Sequence, residues 1–358
     1  MKEASILVVG GGPTGLTAAL ELARRGIDCQ VIEQRDAPSP LSRAVGIMPN
    51  TMKLLEPSGA ASQLRSAAVK ISAAEIYLDG KRILHLPMDE HSDPDVGLFC
   101  LPQDQTESIL ADRAAEHGVT VDYGNRLNEL TLMEDSIECR IENTVQSFAY
   151  VLGADGASST VREQIGLSAE GYDLEGEWAI ADIEAPNWQE NPDVFRLFLQ
   201  EEGVVVLVIP LSKTRYRVVS TQPDALATLD MEIPIEKLYR AGKFAISVRQ
   251  APAYRQGRVF LAGDAAHQHS PVGGRGMNLG IADAAYFASC FADQKLDQYG
   301  AERHKIGAEV IAFTENVRRT VMSNTGFARK AAFQLLNLAT LIPGVPAQLT
   351  KMLVGGKL

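Results

Sequence analysis

Apolar and polar positions along the chain alternate between two periods. Ser5–Val9 is a short apolar run and reads as a buried strand. Directly after it, Pro13–Arg25 places Leu16, Ala19, Leu20 and Ala23 on one helical face, and Gly26 is expected to stop that helix. The segment "DCQVIEQ" predicts a second strand, so the chain opens as a βαβ unit. Ile76–Leu86 predicts a hairpin around Asp79-Gly80, and Gln103–Glu116 predicts a helix. Strand patterns in "SIECRIENTVQSFAYVLGADG" run into a glycine-rich turn. More strand runs follow between Glu177 and Val219, notably "VVVLVIP" and "RYRVVS". "RVFLAGDAA" is a further strand entering a loop, and "GIADAAYFASCF" begins a long helical part. Pro343 and Pro346 are expected to break the last helices.

The pattern predicts an α/β protein. A dinucleotide-type unit lies at the N-terminus, and the strand-rich middle reads as a second sheet inserted into the first domain.

Composition narrows the partners more than the fold. The 358 residues are 46% hydrophobic and 22% charged, an ordinary globular balance with enough material for a real core. A net charge of −11 argues against nucleic acid as the main partner. The four cysteines, Cys29, Cys100, Cys139 and Cys290, are scattered, as expected of buried reduced thiols in a cytoplasmic protein. The first apolar run, Ile6–Val9, is too short for a signal peptide, and no stretch has the length of a membrane span. After Glu315 the chain has no acidic residue but retains Arg318, Arg319, Arg329, Lys330, Lys351 and Lys357. This basic tail is expected to pack on an acidic body rather than anchor a membrane, although peripheral contact stays open.

Three glycine-rich motifs carry the chemistry. In "GGGPTG", Gly10-x-Gly12-x-x-Gly15 joins a strand to a helix. Gly10 permits the turn, Gly12 lets a pyrophosphate approach the backbone, and Gly15 lets helix and strand pack. Pro13 and Thr14 start the helix, whose free N–H groups face the anion. Glu33, followed by Gln34 and Arg35, ends the next strand, where a carboxylate can accept hydrogen bonds from both ribose hydroxyls. In Val151–Leu167, Asp155-Gly156 precedes a short helix with Arg162. In Gly257–Ala284, Gly263-Asp264 ends a strand, and a loop with Pro271, Gly273, Gly274 and Gly276 leads to Met277-Asn278 at a helix start. The glycine loop alone leaves FAD and NAD both open. The later segments favour a flavin: Asp264 can hold ribitol hydroxyls, and the N–H groups of Gly276 to Asn278 can meet negative charge on a reduced flavin.

With these motifs the chain resembles the FAD-dependent aromatic hydroxylases, the single-component group A flavoprotein monooxygenases of the para-hydroxybenzoate hydroxylase fold. "LSRAVGI" resembles the family segment whose arginine reaches FAD, here Arg43. "LPQDQTESIL" resembles the helix whose glutamine lies near the flavin, here Gln103. Leu127 and Asp155 join the expected cofactor contacts, and the resemblance links the segment of Asp155 and Arg162 to both FAD and NAD(P)H. The resemblance covers roughly residues 1–60, 100–170 and 250–320, and the middle matches only as generic strands. Many members carry a C-terminal thioredoxin-like domain, and this chain is expected to lack it. The paired tryptophans of the same-fold halogenases are missing, since Trp188 stands alone.

The resemblance implies a Rossmann-like FAD-binding domain over 1–72, 92–170 and 251–325. A β-sheet substrate domain is expected over 73–91 and 171–250, with C-terminal helices over 326–358. It also implies hydroxylation of a phenolic or polyketide-like aromatic with NAD(P)H and O₂ as co-substrates, through a flavin C4a-hydroperoxide. The competing reading is a same-fold reductase or dehydrogenase without oxygen insertion. No second glycine fingerprint serves NAD(P)H, and no catalytic base is assigned. His267-x-His269 resembles a metal pair but lacks a third ligand, so no metal is expected. His269 is a pocket-lining candidate. Arg215 and Arg217, on one strand, are candidates for an acidic substrate against the commoner role of a solvated sheet face, with Tyr216 pointing to the other face for packing. Ser158-Ser159 reads as a helix cap.

Overall fold

The computed structural model describes residues 5–88, 97–188, 191–322, 339 and 344–354. Its first sheet has six strands in the order Arg255–Gln256, Val259–Leu261, Tyr150–Gly153, Ile6–Val9, Cys29–Glu33, Val121–Tyr123. All neighbours are parallel except the Arg255–Gln256 edge. Ile6–Val9 sits centrally and is buried at every residue, which explains its unbroken apolar run: a parallel sheet is covered on both faces. The helix Pro13–Ala23 covers one face, and Gly26, with φ of 72°, turns the chain out of it.

The inserted sheet has seven strands. Their order is Lys237–Phe244, Trp178–Glu184, Arg215–Ser220, Val205–Pro210, Val194–Leu199, Ala73–Leu78, Lys81–Pro87. The hairpin at its far edge turns at Asp79 (φ 49°) and Gly80 (φ 74°), the two left-handed residues of a tight hairpin. The sheet's two faces have separate jobs. On one, Ile183, Phe198, Val206, Val208 and Val218 form a core with Trp188 and the segment carrying Ala225 and Leu229. Tyr216 belongs to this face, buried and edge-on to Trp188 at 4.9 Å, as its alternation predicts.

The opposite face turns toward the first sheet's loops. Strand register aligns Ala74, Phe195 and, through Val208 opposite Arg196, Ile209 in one row that ends at Arg217 and Asp182. The next row holds Ile76, Leu197, Leu207, Val219 and Ile180. Phe195, Leu197, Leu207 and Ile209 are only half-buried and form an apolar wall.

Gln103–Glu116 is a helix with the bounds its pattern predicts. Two long helices follow the last strands, Gly276–Ala292 and Leu296–Val321. Pro346 corrects the expectation of a break. It lies in the first turn of the helix Val345–Val354, where its missing N–H has no intrahelical partner to lose. That helix lies against Lys81–Pro87, with buried Thr350 donating to the Pro87 carbonyl at 3.4 Å. Pro343, Arg329, Lys330 and Lys357 lie outside the described residues. No helix among the described residues is long and apolar enough to cross a membrane. All four cysteines are free.

Candidate flavin site and its cleft

The glycine loop is tight where helix meets strand and open where a ligand would approach. A Cβ on Gly15 would stand 1.8 Å from the Gly10 carbonyl oxygen, and one on Gly10 would meet the Ala154 carbonyl oxygen at 2.3 Å. Gly10 also has φ of 115°. A Cβ on Gly12 would meet nothing within 4 Å. The helix N-terminus behind Gly12 has no side-chain cap, so its first N–H groups are free for an anion.

Glu33 is buried at the end of its strand and fastens this loop. One carboxylate oxygen accepts from Gly11 N at 2.8 Å, and the other from the Arg35 backbone and Nε, both at 3.0 Å. Burial pushes its pKa up, but the hydrogen bonds from Arg35 and Gly11 outweigh burial and hold it below the usual carboxylate range. Gln34 is exposed beside it. Thr14 has its side chain turned inward: its Oγ1 lies 2.6 Å from where a Cβ on Gly263 would stand and 2.3 Å from one on Gly280. Both glycines are therefore required for the loop, the Gly263-Asp264 turn and the Gly276–Ala292 helix to meet.

Asp155 is spent on local structure. Its carboxylate accepts from Ser159 Oγ at 2.5 Å and from Val161 N at 3.0 Å, and Ser159 caps the short helix Thr160–Gln164, as expected. Arg162 donates to the carbonyls of Ala265 (3.0 Å) and Ala157 (2.9 Å), pinning one glycine turn to the other. Leu127 has its side chain in the main core, 2% exposed, which leaves only its backbone for a ligand.

Asp264 and Arg43 lie within reach of each other's charge. Asp264 touches solvent, yet protein crowds it enough for burial to raise its pKa; the charges of His267 and Arg43 pull the other way without cancelling this. A carboxylate both wetted and crowded lies on the wall of a cleft. Arg43 is exposed on a loop held by Gln103, whose Oε1 accepts from Ala44 N at 2.9 Å and whose own N–H donates to Ser42 Oγ at 2.9 Å.

Beyond Asp264, Pro271, Gly273 and Gly274 are exposed, and Gly276 and Met277 half-buried. Asn278 is fully buried and acts as a latch. Its Oδ1 accepts from Met48 N (2.9 Å) and Thr51 Oγ1 (2.7 Å), and its Nδ2 donates to the carbonyls of Gly46 and Gly274, both at 2.9 Å. The side chain is thus committed to the protein, and the helix start it belongs to has no side-chain cap on its backbone N–H groups.

The two histidines part company. His267 Nε2 lies 2.6 Å from Asp283 Oδ2, which also accepts from Gly263 N at 2.9 Å, while Arg303 Nε donates to Asp283 Oδ1 at 2.5 Å. This buried network fixes the Gly263 turn. His269 Nδ1 faces the Ser270 carbonyl at 2.9 Å and must carry the proton, leaving Nε2 a buried acceptor without a partner among the described residues. Burial, then the charges of His267 and Arg275, push the His269 pKa down to about 4.

Arg217 corrects the reading of a solvated sheet face. It is 1% exposed, with Nε and Nη2 on the Asp182 carboxylate at 2.7 and 2.8 Å and Nη1 on the Arg43 carbonyl at 2.8 Å. A guanidinium so occupied has little left for an acidic substrate. Arg215, by contrast, is half-exposed over the Tyr239 ring at 4.1 Å.

Comparison with known proteins settles the family. The profile described as "FAD binding domain" matches residues 3–314. The chain belongs to the FAD-binding family of aromatic-hydroxylase-type flavin monooxygenases.

Among relatives of this family member is 6-methylpretetramide 4-monooxygenase of Streptomyces rimosus, 30% identical over 88% of this chain and 62% of the relative. The uncharacterized aromatic compound monooxygenase YhjG of Bacillus subtilis is 32% identical over 88% of this chain and 68% of the relative. The chain thus spans about two thirds of the length of these curated relatives. The crystal structure of p-nitrophenol 4-monooxygenase from Pseudomonas putida superposes with a TM-score of 0.86, covering 99% of both chains at 23% identity, which speaks for the fold.

The residues fit a flavin dinucleotide. The space before Gly12 and the uncapped helix start suit a pyrophosphate, and Glu33 at the strand end and Asp264 within reach of Arg43 are residues that could hold the sugar portions. Sequence reasoning missed Asp283 and Asp182, each of which fixes a motif residue from a distant element.

Proposed function

We propose that the protein binds FAD non-covalently and hydroxylates a phenolic or polyketide-like aromatic, consuming NAD(P)H and O₂. The balanced reaction is ArH + NAD(P)H + H⁺ + O₂ → ArOH + NAD(P)⁺ + H₂O. The observation that carries this reading is that the apolar face of the inserted sheet packs with Val272 of the glycine-rich loop and is tied by Arg217 to the loop carrying Arg43. Asp264, Arg43 and the uncapped N–H groups of Gly276 to Asn278 line one side. Phe195, Leu197, Leu207 and Ile209 supply the other.

When bound, FAD supplies the two-electron and oxygen chemistry. The chain's residues bind, orient and shield. The helix start after Gly12 takes the pyrophosphate, and Glu33 accepts from the ribose. Asp264 accepts from ribitol hydroxyls. The helix start at Gly276 places partial positive charge where electron density rises on reduction. The half-buried wall excludes water from the reacting region and presses a flat ring toward the cleft. His269 is neutral near pH 7 and offers Nε2 as an acceptor beside Gly276.

The test is NAD(P)H oxidation by the FAD-loaded protein with a panel of phenols, with and without oxygen. Substrate-stimulated consumption that needs O₂ and yields a hydroxylated ring supports the reading. Substrate reduction or dehydrogenation that proceeds without O₂ contradicts it.

A further inference from the structure

The cleft has a charged rim that neither the glycine loop nor the apolar wall uses. Two cross-strand rows at one end of the inserted sheet place Arg217, Asp182 and Arg240 side by side, and then Arg215, Glu184 and Lys237. Arg217 and Asp182 neutralise each other. What remains is Arg215, Lys237 and Arg240 against Glu184 alone, on a chain whose net charge is −11. Arg240 donates to the Ser42 carbonyl at 2.7 Å, so the rows adjoin the loop that carries exposed Arg43 at the cleft.

Local geometry leaves these cations without full counter-charge, because Arg215 and Lys237 share the one Glu184 carboxylate. Glu184 is shared with the Tyr239 hydroxyl, which donates to it at 2.9 Å. Arg215 and Lys237 lie over the exposed Tyr239 ring, at 4.1 and 4.5 Å. Arg215 Nε is buried without a hydrogen-bond partner among the described residues. A buried N–H left unmade is costly and is expected to meet an acceptor from outside.

We infer that the rim formed by Arg215, Lys237, Arg240 and Arg43 is the docking site for the phosphates of the nicotinamide coenzyme. The inference rests on the proposed use of NAD(P)H. The sequence carries one full glycine fingerprint, and among the described residues it forms one glycine-loop phosphate cradle, which FAD fits. A second dinucleotide must therefore have its phosphates held by side chains. Guanidinium and ammonium groups suit that task. An acidic aromatic substrate is the weaker fit: its ring belongs on the apolar wall, whereas these cations lie toward the opposite edge strand, Lys237–Phe244.

The FAD-loaded protein and its Lys237→Glu and Arg215→Gln variants should be compared in anaerobic flavin reduction by NADH and NADPH. FAD content and reduction by dithionite serve as folding controls. The half-saturating coenzyme concentration should rise about tenfold or more in Lys237→Glu and several-fold in Arg215→Gln, with the limiting reduction rate little changed. Added salt should weaken coenzyme binding in the wild type more than in the variants. ADP should bind the wild type and lose affinity in both. Unchanged coenzyme saturation in both variants overturns the inference; it would leave these side chains the role of discouraging edge-strand pairing. Weakening confined to an acidic aromatic substrate overturns it as well. If neither coenzyme reduces wild-type flavin, the proposed function is what fails, and ADP binding still decides for or against the phosphate site.

Discussion

Arg217 Nη1 donates to the main-chain carbonyl of Arg43 at 2.8 Å, while Nε and Nη2 hold the Asp182 carboxylate at 2.7 and 2.8 Å. One buried guanidinium thereby ties the inserted sheet to a loop of the glycine-motif domain. The charge of Arg43 acts on Asp264, so the position of this loop relative to Asp264 depends on the inserted sheet.

Removing one partner of this pair should be severe. Arg217→Met leaves the Asp182 carboxylate buried without its counter-ion, at a cost of about 3–5 kcal/mol. The double variant Arg217→Met/Asp182→Leu should regain much of that stability but not FAD affinity, because the Arg43 carbonyl remains untied. Urea unfolding and FAD titration of both proteins separate the effects; equal recovery of both would show the tie to be dispensable.

Glu33→Ala should weaken FAD binding by about 2–3 kcal/mol, since it removes a charged acceptor and frees Arg35. The wild-type carboxylate has a lowered folded pKa. Its stabilising contribution is therefore present above the ordinary carboxylate pKa and is lost as pH falls through the lowered value. Calorimetric FAD titration near neutral pH is the check, and unchanged affinity would remove Glu33 from the ribose site.

His269 makes a pH signature of the same sign, but in a higher pH window. Its folded pKa is pushed down to about 4 from an ordinary 6.5. The unfolded chain then takes up a proton first, and the folded state loses stability as pH drops from 6.5 toward 4, by up to about 3 kcal/mol. His269→Gln should flatten this stretch of the stability–pH curve. Parallel curves for the two proteins would show that His269 does not titrate in this way.

What the sequence disclosed, and what it hid, follows from contact range. Gln103–Glu116 and the Asp79-Gly80 hairpin were legible because period and turn chemistry are local. The roles of Gly10 and Gly15 were legible because the motif fixes its own close contacts. Arg217 misled because its partner Asp182 lies 35 positions away on an antiparallel neighbour, and alternation says nothing about which face is sealed. His267 looked like half of a metal pair because Asp283, 16 positions on, arrives only when the following helix packs. Pro346 misled for a different reason: a proline's effect depends on its helical position, which requires knowing where the helix begins.

Asp264→Ala should release FAD readily, at about 1–3 kcal/mol in affinity, by removing the acceptor for ribitol hydroxyls. Flavin that remains should sit loosely, and the reaction should leak to hydrogen peroxide because water reaches the reacting region. Peroxide formed per NAD(P)H consumed, alongside an FAD titration, is the measurement. Loss of folded stability with normal affinity and coupling would make Asp264 a turn cap only.

Oxygen insertion is tested most directly by mass spectrometry of the product formed under isotopically labelled dioxygen, using a phenol that stimulates NAD(P)H consumption by the FAD-loaded protein. One labelled oxygen atom per hydroxylated ring is predicted, with the other in water. A product that carries only solvent oxygen, or one that forms equally well without dioxygen, would contradict a monooxygenase.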